Sequence, residues 1–595
     1  MPQSPALDSE GAVRVSILSN GAPIPDAVRL YSVRIKRGAN TIPTAQIVLD
    51  DGMMTTGEWA IADGSLFTPG AKIDIRAGYR DAEADLFKGV AVKLAVRISG
   101  DNFSRLIVHC QDAAVRMTVG RRNSNYLDLT DSDIIANLAR DHGLTASVDA
   151  TSVEYGELVQ YYCTDWDFLV SRAEVNGFLV IADDGELKVK APQTSQTPVL
   201  QVTWGADLVD FQAEIDARSQ LSNVKARAWD PKTQAAVTGE SGPVELNDQG
   251  DLSSATLAGV MNPDAFTLQS ATRIETEALT AWAKAQQVKA GLARIRGHMR
   301  FQGSAEAKVG DLIDVVGVGA RYAGAVLITG LEHEIAEGNW FTTAQFGLSP
   351  NWFAERGDVV APPAAGWLPG TDGLQIGVVA KLDGDPLGEQ RIQVTIPVLA
   401  AEQPEIWARL MQSYASNGFG AFWAPEVGDE VVLGYFNSDP GNPVVLGSLY
   451  SSNRAPPYAL AQQNNIKAWV TRSNTKIEIN EEDKVVTVAT PGKNTLIISD
   501  KDQSITLQDQ SGNKVTLAPG GITLDSPKDI KLTAKGALSI DAVGSITISS
   551  KADVSTQGLN ITHQAQVAFA GKGSATAELS ASGQTTVRGA MVMIN

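Results

Sequence analysis

The chain has 595 residues, 43% of them apolar and 20% charged, with 54 glycines. That length exceeds one ordinary hydrophobic core and that composition is too apolar for a disordered chain, so several folded domains with many turns are expected. A formal net charge of -19 opposes non-specific attraction to nucleic acid or an anionic membrane surface.

The opening MPQSPALDSE has neither a basic start nor an apolar run, and no stretch of about 18 apolar residues follows it. A classical signal peptide and a spanning anchor are therefore disfavoured. The two cysteines, Cys110 and Cys163, read as core residues of a protein synthesised in the cytoplasm.

Strand-like alternation begins at once, in VRVSIL, LYSVRIK, KIDIRAGY and LFKGVAVKLAV within residues 14–110. It returns within 200–350 in NVKARAW, DLIDVVGV and AVLITGLEHE. Two barrel-like halves are expected, with helices between and within them. Asp131 is placed as the cap of a helix over 132–140, whose apolar face is Ile134, Ile135 and Leu138 and whose stop is Gly143. DWDFLVSRAEVNGFLV at 165–180 predicts a helix ending near Gly177 and feeding a strand, and 275–292 predicts another helix.

Residues 374–450 carry five short strands with Gly, Asp and Pro at their ends, a spacing that suits an oligonucleotide/oligosaccharide-binding-type (OB) barrel. Pro425 and Gly428 are expected to hold a tight entry to the strand at Val431, and Asp439, Pro440 and Gly441 to turn the chain back into the barrel. Arg391 and Arg409 form no basic stripe, so no specific nucleic acid is expected as a partner. Glu426 and Asp429 beside a turn need only be solvent-facing charge.

From Ile505 onward apolar pairs recur: Ile505/Leu507, Val515/Leu517, Ile522/Leu524, Ile530/Leu532, Leu538/Ile540 and Ile546/Ile548. Each pair reads as one short strand, and from 522 they start every eight residues, with turn-forming residues between them. A plain antiparallel domain would explain any two neighbours; the sustained period favours a rod. Burying one Ile/Leu pair gives roughly 3–6 kcal/mol, whereas ordering eight backbones costs about 8–16 kcal/mol. The missing packing is best supplied by two further chains. Residues 491–595 are also nearly neutral, with nine Lys/Arg and eight Asp/Glu. Met591, Val592, Met593 and Ile594 either close the last strand or form an apolar platform for a separate tip protein.

His109, His142, His298, His333 and His563 form no metal-binding spacing, and in Glu332-His333-Glu334 a strand would point both acids away from the histidine. No G-x-S-x-G, phosphate loop or H-E-x-x-H occurs. No catalytic, metal or cofactor residue is assigned, and no enzyme activity is expected.

DPLGEQRIQVTIP at 385–397, PEVGDEVVLGY at 425–435 and NSDPGNPVVLGSLY at 437–450 resemble the barrel of the VgrG and phage baseplate central spike family. The DWDF segment at 165–168 resembles a helix of that family's hub domains. The resemblance implies a mainly β, multidomain fold: hub β-barrel region 1–110, α/β hub insertion 111–200, second hub region 201–365, OB-fold spike base 366–455 and a C-terminal intertwined trimeric β-helix 456–595. It further implies a homotrimer that adapts a sixfold tube and baseplate to a threefold membrane-piercing needle. The implied partners are inner-tube and baseplate proteins, a PAAR-like tip protein, effector cargo and, transiently, a target membrane. A phage tail, a type VI apparatus and an extracellular injection particle remain open. So do two other readings, a trimeric fibre or surface-glycan-binding adhesin, and an enzyme with its site in 110–200.

Overall fold

The computed structural model describes residues 3–5, 11–80, 82–100, 103–261 and 265–594. The fold is mainly β, and the chain divides into two compact units, Met1–Leu449 and Tyr450–Asn595.

In the first unit, period-two alternation gives β1 Val13–Ser19, β2 Ala22–Pro23, β3 Leu30–Gly38, β4 Thr44–Asp50, β5 Lys72–Tyr79, β6 Ala82–Ile98 and β7 Ser104–Gln111. Their inward residues, among them Val33, Ile35, Ile47, Ile73, Ile75 and Leu106, build one core with Phe67, Phe87 and Trp340. The chain then leaves the sheet. Helices α1 Asp131–Asp141 and α2 Asp165–Val175 pack with the strands Thr145–Val148, Leu179–Asp183 and Glu186–Lys190 around a second core. It returns as β8 Leu200–Thr203 and β9 Leu208–Ile215, and makes a second excursion. There the strands Val224–Asp230, Ala235–Glu240 and Phe266–Ser270 carry α4 Thr276–Leu292, with α3 Ser254–Met261 between them in sequence. The sheet resumes with β10 Ile295–Gln302, β11 Leu312–Val316, β12 Gly324–Ala336 and β13 Asn339–Phe346.

The two expected barrel-like halves share one thirteen-stranded sheet, in the order β9-β10-β13-β12-β3-β4-β7-β6-β5-β1-β2, with β11 on β12 and β8 on β11. Strand β12 is long enough to pair with β11 over its first residues and with β3 over Gly330–Ala336, and this splices the halves. Each half keeps its own core. The start of α1 also differs from expectation. Thr130 is the cap: its hydroxyl accepts from Asp133 N, and the Asp133 carboxylate accepts from Thr130 N. Threonine with an acid three residues on completes a reciprocal box, which frees Asp131 to turn inward.

Strands β14 Gln375–Lys381, β15 Arg391–Thr395, β16 Glu405–Leu410, β17 Glu430–Tyr435 and β18 Pro443–Ser448 close into the expected small barrel, ordered β14-β15-β16-β18-β17. Val379, Val394, Ala408, Val431, Leu433 and Val445 fill it.

The second unit begins as an antiparallel meander of seven five-residue strands: β19 Ile466–Val470, β20 Lys476–Asn480, β21 Val485–Ala489, β22 Thr495–Ser499, β23 Ser504–Gln508, β24 Lys514–Ala518 and β25 Gly521–Asp525. The expected strands at 530/532, 538/540 and 546/548 do not form within the single chain. The chain instead bends at 527–528, 535–536, 543–544, 551–552 and 559, keeping the eight-residue period. The physical reason is that a strand needs a hydrogen-bonded neighbour. Among the described residues beyond Asp525, no backbone–backbone hydrogen bond forms within the chain.

Candidate functional site

The DWDF segment is built as an anchor. Thr164 caps α2: its hydroxyl accepts from Asp167 N and donates to the Asp167 carboxylate. Trp166 and Phe168 enter the core, Phe168 stacking on Tyr126 at 5.6 Å. The buried Asp165 carboxylate accepts from Arg122, from Gln160 Nε2 at 2.9 Å and lies 2.7 Å from His142 Nε2. Burial pushes this carboxyl up, but the hydrogen bonds from Arg122, His142 and Gln160 outweigh it and hold it below the ordinary range. Nearby, the fully buried Asp131 takes a two-pronged bond from Arg172 at 2.7 and 2.9 Å and a third from Asn176. Every acid here is committed to a structural donor.

On the barrel, Asp429 N donates to Glu426 O, closing a four-residue turn whose third residue, Gly428, has φ +84°. A side chain would be strained at that angle, and Gly428 N also reaches Val379 O at 2.7 Å, tying the turn to β14. Pro425 precedes it. In Asp439-Pro440-Gly441-Asn442, Asn442 N donates to Asp439 O, and the Asp439 carboxylate accepts from Gly441 N and Asn442 Nδ2, each at 2.8 Å. Proline at the second position and aspartate at the first are what such a turn favours.

Two features of the barrel escaped sequence reasoning. Between β14 and β15 the Asp385 carboxylate gathers Leu387 N, Glu389 N, Arg391 N and the Arg391 guanidinium, the last at 2.6 Å. Hydrogen bonding from Arg391 holds this carboxyl far below the usual range. Between β16 and β17 a stiff hairpin closes through Ala421 N to Tyr414 O at 2.7 Å, and through Gln412, whose amide exchanges hydrogen bonds with the Trp423 backbone. It presents Phe419, Phe422 and Trp423 to solvent, Phe422 being 91% exposed. The run F-G-A-F-W was the available signal.

The meander has two unlike faces. Its register aligns Trp469, Ile477, Val488, Leu496, Leu507, Val515 and Leu524 in one row across all seven strands. Beside it run Ile479, Val486, Ile498, Ile505, Leu517 and Ile522. The opposite face carries Ala468, Glu478, Thr487, Ile497, Thr506, Thr516 and Thr523, a row with a single large apolar side chain. No second layer covers the apolar rows: among the described residues every apolar core cluster stops at or before Val445. Ile522 remains 74% exposed. Met591, Val592, Met593 and Ile594 are exposed as well, while Asn595 lies outside the described residues.

Among the described residues no group of three or more His, Cys, Asp or Glu side chains could hold a metal ion, and no helix is long and apolar enough to cross a membrane. His333 is buried, and its flanking acids point the other way, Glu332 and Glu334 pairing with Arg34 at 3.1 and 2.8 Å. Cys110 is buried, its thiol pushed up to about 12 by burial.

Residues 9–337 match the family described as Alg8 N-terminal domain, and residues 375–450 match the type VI secretion system/phage-baseplate injector OB domain. The chain is 30% identical over 89 residues to the type VI secretion system spike protein VgrG1a of Pseudomonas aeruginosa, which is 14% of each protein. It is 27% identical over 144 residues to the actin cross-linking toxin VgrG1 of Vibrio cholerae, 23% of this chain and 13% of the toxin. The match thus spans only about one seventh of the length of these relatives. Among solved structures, a 43 kDa tail protein of prophage MuSo2 from Shewanella oneidensis aligns with 57% of this chain and 99% of its own, at TM-score 0.44 and 11% identity. An E. coli component of the type VI secretion system aligns with 73% of this chain and 99% of its own, at TM-score 0.38 and 13% identity.

Proposed function

Since this chain belongs to the family of VgrG and phage-baseplate spike proteins, we propose that it is the central spike and tail-hub adaptor of a contractile injection apparatus. It acts as a homotrimer. The hub sheet of residues 13–346 meets the sixfold tube and baseplate, and the tail forms a threefold needle.

The observation that carries this reading is the uncovered apolar face of the meander, followed by a bent segment without backbone partners in its own chain. An apolar side chain gains roughly 1.5–3 kcal/mol when buried, so thirteen of them in two aligned rows favour assembly strongly. Three such faces, turned inward around one axis, cover one another. Beyond Asp525 the same three chains supply the missing strand partners, and the eight-residue bends set the repeat of an intertwined β-helix.

The role is mechanical. Contraction drives hub, barrel and needle as one body, and stiffness comes from interchain ladders. Pro425, Gly428, Asp439, Pro440 and Gly441 keep the barrel's turns fixed under that load. Met591, Val592, Met593 and Ile594 offer an apolar seat for a separate tip protein, and effector cargo travels with the particle to the target membrane.

Multi-angle light scattering on the full chain tests the central point, with three protomers expected. Replacing Leu496 and Leu507 together by Asp should release single chains. A stable lone chain with an ordered tail would sink the proposal.

A further inference from the structure

An open cleft of about 1340 Å³ lies beside α2, α4 and the strand Phe266–Ser270. Tyr155, Phe266, Trp282 and Trp352 line its walls. Glu154, Glu157, Glu275 and Glu355 also line it, and all four are exposed.

The cleft's two basic residues offset only one of those four acids, Glu275, and leave Glu154, Glu157 and Glu355 as the acidic rim. Arg172 is committed to Asp131 and Tyr155, and Arg273 to Glu275 at 2.7 Å. Aromatic walls beneath an acidic rim favour cations carried on apolar stems, which lysine and arginine supply. A third group specifies more. Gln286, only 7% exposed, lines the cleft; its Oε1 accepts from Trp352 Nε1 at 2.7 Å, and its Nε2 has no protein partner among the described residues. The side chain is held in place while its amide nitrogen stays accessible from the cleft, where it can donate to a peptide carbonyl.

We propose that this cleft docks a peptide segment of a separate protein in which Lys or Arg alternates with apolar side chains. An acidic segment is repelled at the rim, and a purely apolar one leaves the Gln286 donor unmatched. A second copy of the hub is a poor occupant on charge, because residues 450–595 hold 14 Lys/Arg and 12 Asp/Glu, leaving 35 and 56 for the first unit. The site stands independently of the needle's architecture. On a projectile it would carry a passenger at the hub.

The test uses the full-length assembled protein and two labelled peptides, alternating lysine–leucine and alternating glutamate–leucine, followed by fluorescence anisotropy at physiological salt. Saturable binding of the lysine peptide alone is expected. Phe266→Ser, at a partly exposed position, should weaken it about tenfold through lost apolar contact. Glu154→Gln combined with Glu157→Gln should weaken it about threefold, as exposed charge pairs do. Equal binding of the glutamate peptide, or binding indifferent to Phe266→Ser, overturns the proposal. So does absence of saturable binding, the result if a second copy fills the cleft.

Discussion

Glu174 on α2 and Lys289 on α4 meet at 2.7 Å although they lie 115 residues apart in sequence. The same carboxylate accepts from Asn40 Nδ2 at 3.2 Å and Phe353 N at 2.6 Å. One buried side chain thus ties the β3–β4 turn, both helices and the start of the linker towards the barrel.

Lys289→Met strands that carboxylate without its cation. A loss of roughly 3–5 kcal/mol is expected, as for other buried pairs broken from one side. Combining it with Glu174→Gln should cost less than either single change would suggest. Urea unfolding followed by tryptophan fluorescence checks this, since Trp352 lies 5.7 Å from the lysine nitrogen.

Acid should loosen the hub through His333. Burial, with Arg37 nearby, pushes this imidazole from 6.5 down to about 3. The unfolded chain then binds a proton that the folded one refuses, so stability is lost as pH falls from 6.5 towards 3, by roughly a few kcal/mol. The charged groups that share its pocket are Arg37, Asp85, Asp183, Asp184, Lys188, Lys308 and Asp311. Burial pushes the Asp311 carboxyl up, which works in the opposite sense. Stability of His333→Gln measured against pH should lack the His333 part of the slope; an unchanged slope would refute the assignment.

Ala364, Ala365 and Gly366 hold φ of +51°, +54° and +72° in succession. Left-handed backbone costs an alanine about 1–2 kcal/mol, and glycine escapes that while losing some chain entropy. Ala365→Gly, at an exposed position, should therefore stabilise the first unit by about 0.5–1 kcal/mol in thermal unfolding. Destabilisation would mean that the methyl group packs against something.

Hydrogen exchange probes the tail directly. Among the described residues no amide of 528–594 donates to a backbone carbonyl of its own chain, and only those of Lys528 and Ala552 reach a side chain, the hydroxyls of Ser526 and Ser550. On the three-chain reading they should nevertheless be protected, and chains carrying the paired Leu496 and Leu507 substitutions should exchange freely. Fast exchange in the assembled protein would contradict intertwining.

What the sequence made legible was local. The barrel's strands alternate, and its turns announce themselves at Gly428 and at Asp439-Pro440-Gly441. The DWDF helix carries its own cap and stop. What stayed hidden depends on distant partners. Thr130 and Asp131 are both good caps, and the choice rests on Arg172, 41 residues away, claiming Asp131. Likewise the β3–β12 splice joins residues almost 300 positions apart. The eight-residue beat is plain in the sequence, but whether each beat becomes a strand depends on who supplies the neighbouring backbone. The cleft needed folding to bring Tyr155, Phe266, Trp282 and Trp352 together.

The unpaired backbone from Ser526 to Ile594 bears on timing. A segment that cannot complete its ladders by itself stays unfinished for as long as its molecule is solitary, with oily rows on view beside it. On the three-chain reading, maturation would then depend steeply on local abundance, favouring chains born close together on one transcript, and scarce orphans would fall to chaperones and proteases.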